Sequence, residues 1–324
     1  MAGSCADAER SPLVCILGPT ASGKTGLAVS LAERHAGEVL VMDSAQVYRG
    51  LPIGTAKPTP AEMRAVPHHL LGVYDWQDVC TAQRWADAAR ACIADIAGRG
   101  RLPILCGGTF LYLRALLEGL HALPPEDPAL RQALEARAAR EGTPALHAEL
   151  AVVDPETAAR LHPNDTQRVL RALEIYAQTG QGREGLLRSQ PGPQPWAGPV
   201  LKLALLPGDR AQLRERIARR FAAMLEAGLW DEARAARADP RYDPRLPVLK
   251  AVGYRQLFAA IEGRCGEAEA VERAIIATRQ YAKRQLTWLR RDAEVHWLDS
   301  AAADLETRAG RLLSEWASQG GSAA

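Results

Sequence analysis

Four residues near the start of the chain have the types and the spacing of a phosphate-binding loop. Gly18, Gly23, Lys24 and Thr25 stand in the sequence GPTASGKT, directly after the apolar run LVCIL. Glycines let backbone N–H groups converge on phosphate oxygens, a lysine meets their charge, and a threonine hydroxyl can bind Mg²⁺. We therefore expect Thr25 to bind the metal. The residues expected to bind a diphosphate or a nucleotide are Gly18, Pro19, Thr20, Ala21, Ser22, Gly23, Lys24 and Thr25.

A second group of polar residues lies in the segment DSAQVYRGLPIGTAKP, residues 43–58. Asp43 follows the apolar run VLVM, and ligands of open α/β sheets bind at the carboxyl ends of strands. Its carboxylate could accept a proton or bind a metal, or it could only cap a following helix. Gln46, whose amide suits a base edge, and Lys57 in a Gly-rich loop favour a site over a cap.

A third segment, CGGTFLYLRALLEGL, places Thr109 directly after two glycines at the end of another apolar run. A hydroxyl and a helix N-terminus would face the same crevice there. A helix N-cap is an equally good interpretation of Thr109, because threonine favours that position.

The apolar runs and helical patterns alternate as in parallel βαβ units. We predict strands over residues 13–18, 39–44, 102–108, 200–207 and 295–300. The fold class is α/β, with a P-loop NTPase-like parallel sheet core and an all-helical insertion. Residues 12–120 and 196–300 form the catalytic core with C-terminal helices, residues 121–195 the insertion, and residues 301–324 a helical or disordered tail.

Composition excludes some classes of protein. The six cysteines show neither CxxC nor Cys/His clustering, so neither a disulfide framework nor a zinc site is indicated. The N-terminal sequence MAGSCADAER has no apolar targeting region, and no stretch of 18 apolar residues occurs. We expect a cytoplasmic protein with no membrane segment, and a monomer, because no helix shows an uncovered apolar stripe.

Charge alone does not indicate a nucleic-acid partner. The formal net charge is +2, which is nearly neutral for 324 residues. The stretch from Arg273 to Arg291, both included, contains six basic residues and no acidic one. Taken alone, such a run is typical of a solvated helix face.

The phosphate loop alone suggests a kinase or a nucleotide hydrolase. However, no NKxD-type motif and no strand ending in paired acidic residues follows it. A P-loop small-molecule kinase stays an alternative, and a non-catalytic RNA-binding module is a weaker one.

Seven segments, in this order, resemble the tRNA dimethylallyltransferases: GPTASGKT, VMDSAQVYRGLPIGTAKP, PHHLL, GGTFLYLRALLEGL, HPNDTQRVLRALEIY, KAVGYRQL and TRQYAKRQLTWLRR. These enzymes transfer a dimethylallyl group to N6 of the adenosine 3′ of the anticodon, in tRNAs that read codons beginning with U. The resemblance implies dimethylallyl diphosphate as donor, the tRNA anticodon stem-loop as acceptor and Mg²⁺ as cofactor. It also implies that the loop holds the diphosphate that leaves.

By this resemblance Asp43 is the catalytic base, and Thr109 contacts the substrate beside it. Arg220, in RERIARRF, is a candidate for a further diphosphate contact, with a surface arginine as the alternative. The residues implied to contact tRNA are Asp43, Ser44, Ala45, Gln46, Thr109, Arg131, Gln167, Arg168, Val169, Leu170, Arg171, Lys250, Ala251, Val252, Gly253, Tyr254 and Arg255. The basic run then offers charge and stacking surfaces to RNA, unless Trp288 belongs to the core.

Overall fold

Short apolar segments form a six-stranded sheet in the structure, a computed structural model that describes residues 11–320. Adjacent strands are parallel, in the order β3-β2-β4-β1-β5-β6. The predicted fold class is confirmed. The strands are β1 Leu13–Leu17, β2 Gly37–Met42, β3 His68–His69, β4 Leu102–Gly107, β5 Val200–Leu206 and β6 Val295–Asp299.

Two features of the sheet differ from the prediction. Strand β2 begins and ends two residues before the expected span of 39–44, so Asp43 follows the strand instead of belonging to it. Strand β3 was not predicted, because two residues are too short to show an alternating pattern.

Helices connect the strands and cover the sheet. The first four are α1 Lys24–Arg34, α2 Pro60–Met63, α3 Ala82–Gly98 and α4 Phe110–Leu117. After β5 come α10 Arg210–Glu226, α11 Leu229–Ala238, a 3₁₀ helix Pro247–Lys250, α12 Tyr254–Ile261, α13 Glu267–Leu289 and, after β6, α14 Leu305–Ser318. The buried core joins β1, β4 and β5 to α1 and α14, through residues such as Ile16, Leu31, Leu203 and Leu313.

Residues 119–194 form a separate compact unit, and residues 11–118 and 195–320 form the other. The unit of residues 119–194 is all-helical, as predicted for the insertion. Its helices are α5 Pro128–Glu141, α6 Thr143–Val153, α7 Pro155–Arg160, α8 Thr166–Thr179 and α9 Arg183–Arg188. The apolar face of α8 packs against Leu134, Leu146 and Leu150.

A backbone hydrogen bond joins the point where the chain leaves the sheet unit to the point where it returns. The N–H of Trp196 donates to the carbonyl of Leu117 at 2.8 Å. Trp196 is largely buried, and the Arg90 guanidinium lies 6.0 Å from its ring centre and donates to the carbonyl of Leu116. The two ends of the 119–194 segment are thereby attached to neighbouring points of one unit.

Within residues 11–320 no helix is both long and apolar enough to cross a membrane. The thiols of Cys15, Cys80, Cys92, Cys106 and Cys265 are free. The polar N-terminal segment of residues 1–10 and the end of the predicted tail, residues 321–324, lie outside the described residues.

A buried carboxylate at the start of β2 carries a prediction about stability. Glu38 is 3 % exposed, its Oε2 accepts from Arg99 Nη2 at 2.9 Å, and His69 Nε2 lies 2.7 Å away. The Arg99 hydrogen bonds, opposed by burial and assisted by His69, lower the pKa of Glu38 to about 2. A depressed pKa contributes stability above the unfolded value of about 4.5, and this stability is lost as pH falls toward 2.

We expect Glu38→Gln to lower the free energy of unfolding by about 3 kcal/mol at pH 7, because the lowered pKa of Glu38 corresponds to about that much stabilisation of its buried carboxylate. The deficit should shrink by about 1 kcal/mol at pH 3.5, since one pKa unit corresponds to about 1.4 kcal/mol. Urea unfolding of the parent and the variant at both pH values measures this difference in the free energy of unfolding. Glu33→Gln is the control, because Glu33 makes an exposed ion pair with Arg64 worth about 1 kcal/mol or less. A deficit independent of pH would contradict the argument.

Candidate active site at the carboxyl ends of the strands

A cavity of about 390 Å³ lies at the carboxyl ends of β1, β2 and β4, where ligands of open α/β sheets bind. The phosphate loop, the turn after β2 and the turn after β4 contribute to its wall, as do helices α10 and α13. Residues that the sequence places in different segments thus meet at one site. Those used below are Thr20, Lys24, Thr25, Asp43, Gln46, Arg220, Tyr281 and Gln285.

The phosphate loop has the backbone that its glycines permit. Gly18 and Gly23 have φ of 150° and 89°, and a Cβ on Gly18 would lie 2.7 Å from the Leu205 carbonyl oxygen. Helix α1 begins directly after Gly23, so its free N–H groups are at the loop. Lys24 Nζ donates to the Pro19 carbonyl at 2.7 Å, and burial lowers the pKa of Lys24 to about 8. This loop can hold an anion by N–H groups and one ammonium.

The Asp43 carboxylate is oriented by its own turn. Its Oδ1 accepts from the N–H groups of Ala45 at 2.8 Å and Gln46 at 3.2 Å. No helix starts at this position, so the helix-cap interpretation is wrong. Within residues 11–320 no hydrogen bond to Oδ2 is made, which leaves this oxygen able to accept a proton from a bound molecule.

Thr109 stands at the N-cap position of α4, but its side chain does not cap the helix. Its Oγ1 instead accepts from the Ser44 N–H at 3.1 Å, which joins the turn after β4 to the turn after β2. Tyr281 of α13 contacts Thr109, and burial together with the charge of Asp43 raises the pKa of Tyr281 to about 12. Thr109 is therefore held beside Asp43 through the hydrogen bond to Ser44, the residue that follows Asp43.

Arg220 links the phosphate loop to the GTAKP segment. Its Nη1 donates to Thr20 Oγ1 at 3.2 Å and its Nη2 to the Ala56 carbonyl at 3.4 Å. The same carbonyl accepts from Gln46 Nε2 at 2.9 Å. Arg220 lines the cavity, and burial lowers the pKa of its guanidinium. It is a cavity residue, not a surface arginine.

The other predicted tRNA contacts have different environments. In the sheet unit, Ser44, Ala45, Lys250, Ala251 and Val252 line the cavity. Gly253 precedes α12, Tyr254 is fully buried and Arg255 is exposed.

In the helical unit, Gln167 and Arg168 are exposed at the start of α8, whereas Val169 and Leu170 are fully buried. Arg131 and Arg171 approach the buried carboxylate of Glu174, at 4.0 Å and 3.0 Å. Both arginines therefore have a structural partner inside this unit.

Several residues of the cavity were not predicted from the sequence. Ile217, Phe221 and Met224 come from the helix that carries Arg220, and their helical spacing around it could have indicated them. Gln285 follows Tyr281 by one helical turn in the resembling segment. Cys106 is the second-last residue of β4, directly before the two glycines, and burial raises the pKa of its thiol to about 11. No sequence signal pointed to Glu232, which does not line the cavity but bonds to the segment that does.

Glu232 of α11 holds the GTAKP segment. Its carboxylate accepts from the N–H groups of Ile53 at 2.9 Å and Gly54 at 2.7 Å, and from the Tyr254 hydroxyl. A Cβ on Gly54 would lie 2.2 Å from the Tyr254 ring, so only glycine fits there.

We expect Glu232→Gln to destabilise the protein by about 1–3 kcal/mol, because one buried N–H donor would face an amide NH₂. Amide hydrogen exchange over residues 51–57 should quicken. Urea unfolding and exchange by mass spectrometry measure both effects. Glu226→Gln, at an exposed position on α10, is the matched control and should stay within about 0.5 kcal/mol. Unchanged exchange over 51–57 would show that Glu232 does not hold the segment.

A parallel sheet, a Gly-rich loop between β1 and α1, and a cavity at the strand ends define a P-loop α/β protein. A family described as IPP transferase matches residues 46–292, and one described as isopentenyl transferase matches residues 12–73. The chain therefore belongs to the tRNA dimethylallyltransferase family, and it is a transferase of the prenyltransferase class.

Proteins named tRNA dimethylallyltransferase are among its relatives. The one from Methylococcus capsulatus is 51 % identical over 94 % of this chain and 97 % of its own length. The one from Thiobacillus denitrificans is 52 % identical, over 94 % and 96 %.

Two solved structures are also similar. The tRNA isopentenylpyrophosphate transferase from Bacillus halodurans has a TM-score of 0.70 and 37 % identity, and the match covers 94 % of this chain and 96 % of that one. A eukaryotic dimethylallyltransferase, described as acting on tRNA, has a TM-score of 0.79 and 27 % identity, with 95 % of this chain and 80 % of that chain covered.

Proposed function

We propose that this enzyme transfers a dimethylallyl group from dimethylallyl diphosphate to N6 of adenosine 37, just 3′ of the anticodon, in tRNAs that read codons beginning with U. The observation that carries the proposal is that one cavity contains both an anion-binding loop and the Asp43 carboxylate. The names of the relatives and the tRNA described for the eukaryotic neighbour support the choice of substrates.

On the donor side, the bond between the allylic carbon and the diphosphate oxygen breaks, and negative charge grows on the diphosphate. The N–H groups of the loop, Lys24 and Arg220 surround the place where that charge would develop. The apolar side chains of Ile217, Phe221 and Met224 offer a surface for the prenyl chain.

On the acceptor side, the N6 amine is a weak nucleophile because its lone pair is delocalised into the adenine ring. As the new C–N bond forms, an N6 proton passes to Asp43 Oδ2, while Oδ1 stays bound to its turn. The adenosine must leave its stack to reach the cavity, which costs a few kcal/mol. Gln46 and Thr109, beside Asp43, would contact the extruded nucleoside.

We propose Mg²⁺ as the cofactor, with the Thr25 hydroxyl and diphosphate oxygens among its ligands. Mg²⁺ prefers oxygen ligands and is commonly bound by few protein groups, several waters and substrate phosphates. The Thr25 hydroxyl at the cavity wall fits this mode, and residues 11–320 contain no cluster of three His, Cys, Asp or Glu that would supply a protein-only site. The bound cation would offset charge on the leaving diphosphate.

For the rest of the tRNA, the proposed surface in the sheet unit is the exposed side of α13 and the residues after it. Lys283, Arg284, Arg290 and Arg291 are exposed there, and Trp288 is 41 % exposed, so it is not a core residue. Positive charge and an exposed ring suit phosphates and bases. In the helical unit we propose Gln167 and Arg168. We also propose that the enzyme works in the cytoplasm and that it is a monomer. Light scattering of the purified chain would test the oligomeric state.

The test is mass spectrometry of nucleosides from unmodified tRNA incubated with the enzyme, Mg²⁺ and dimethylallyl diphosphate. We expect N6-dimethylallyladenosine, and none from the same tRNA with guanosine at position 37. A parallel reaction contains ATP instead of the prenyl donor. Consumption of ATP without any prenylated nucleoside would support the small-molecule kinase instead.

A further inference from the structure

One buried amide of α13 bridges two loops of the cavity. Gln285 is 5 % exposed; its Oε1 accepts from the Thr20 N–H at 2.9 Å and its Nε2 donates to the Gly108 carbonyl at 2.9 Å. Thr20 belongs to the phosphate loop, and Gly108 precedes Thr109 in the turn after β4. The side chain therefore connects the proposed donor side of the cavity to the proposed acceptor side.

Space at this bridge is tight. A Cβ on Gly108 would lie 2.2 Å from Gln285 Nε2 and 3.0 Å from the Gly18 carbonyl oxygen. The phosphate loop and the turn at Gly108 cannot move closer together without displacing the Gln285 amide between them. The separation between the phosphate loop and the Thr109 turn is thus set by contact as well as by hydrogen bonds.

The chemistry of the bridge requires an amide. The Thr20 N–H needs an acceptor, and the Gly108 carbonyl needs a donor. A glutamine presents one of each, an ionised carboxylate presents two acceptors, and a thioether presents no donor.

We propose that Gln285 is a positioning residue, which fixes the phosphate loop relative to the Thr109 turn and so sets the distance between the diphosphate and the acceptor amine. This inference rests on the proposed function. Correct placement of two reactants lowers the barrier, and an error of about 1 Å can cost about 100-fold in rate. Gln285 lines the cavity, but both ends of its amide are bonded to the two loops, so it acts through the loops that carry Thr20 and Thr109.

The first test is Gln285→Met, which keeps length but removes the donor. We expect kcat to fall about 10- to 100-fold and inorganic pyrophosphate to bind about tenfold more weakly by calorimetry. Gln83→Met, at an exposed position of α3 outside the cavity, is the matched control and should keep both values. If Gln285→Met has kcat and pyrophosphate affinity within twofold of the parent, the inference is wrong.

The second test separates positioning from simple packing. Gln285→Glu keeps the acceptor for Thr20, and it regains a donor to Gly108 only when its carboxyl is protonated. The ratio of its kcat to that of the parent should therefore rise as pH falls from 8 to 5.5. A ratio independent of pH would contradict the proposed bridge.

A double-mutant cycle covers the case in which Gln285→Met does not fold. Gly108→Ala pushes against the amide, and Gln285→Ala removes that clash, so their effects on kcat should be strongly non-additive. Simple multiplication of the two effects would overturn the inference.

Pyrophosphate binding also separates this inference from the proposed function. A parent enzyme that binds pyrophosphate but forms no prenylated nucleoside would refute the proposed function, and the Gln285 variants would still be judged by pyrophosphate affinity. A parent enzyme that binds no pyrophosphate would overturn both.

Discussion

Asp43→Asn is expected to lower kcat by about 10²- to 10⁴-fold, the usual range for loss of a general base. The asparagine Oδ1 can still accept from the N–H groups of Ala45 and Gln46, which keeps the turn in place. Its NH₂ group occupies the position of Oδ2 and cannot accept a proton. We therefore expect a large fall in kcat with little change in the conformation of the turn.

Single-turnover kinetics with enzyme in excess over tRNA measure this effect, because they report the chemical step without product release. The KM for the prenyl donor should change less than about threefold, since the phosphate loop is untouched. Asp75→Asn is the control, because Asp75 makes an exposed ion pair with Arg241. A variant with nearly full kcat would remove Asp43 from the role of base.

Lys24→Met is expected to lower kcat/KM for the donor by about 10²- to 10³-fold, as loss of one group that stabilises developing charge typically does. The pH dependence gives a sharper test. Burial lowers the pKa of Lys24 to about 8 in the free enzyme, and the protonated form is the one that binds a diphosphate. The parent enzyme should therefore lose kcat/KM for the donor as pH rises through 8.

Lys24→Arg is the matched variant for this profile. A guanidinium stays charged far above pH 10, so the decline near pH 8 should disappear whatever the absolute rate. The measurement is kcat/KM for the donor from pH 6.5 to 9.5 at saturating tRNA. A decline near pH 8 that persists in Lys24→Arg would assign it to another group.

Local patterns were sufficient to predict five of the six strands and the loops at the edge of the sheet. The phosphate loop and Asp43 directly follow apolar strands, and Thr109 follows one after a single glycine, so strand ends and chemical groups could be read from the same few residues. Parallel strands then bring them together without further information.

Contacts between distant segments could not be predicted in this way. Glu232 and Gln285 bond to loops 178 and 265 residues earlier in the chain, and nothing around them distinguishes them from ordinary helix residues. Arg131 and Arg171 look like exposed charges in the sequence, yet both face the buried Glu174. The spacing of polar residues in the sequence shows which face of a helix is polar, but not which buried side chain that face will contact.

The hydrogen bond between Trp196 and Leu117 has a consequence for how this enzyme can vary. Because the ends of the helical segment are held at adjacent points, we expect the sheet to tolerate changes in the length of chain between them. Doubling a closed loop adds only about 0.6 kcal/mol to its closure cost. Related chains can therefore differ in the length of this segment while the sheet and its cavity stay unchanged.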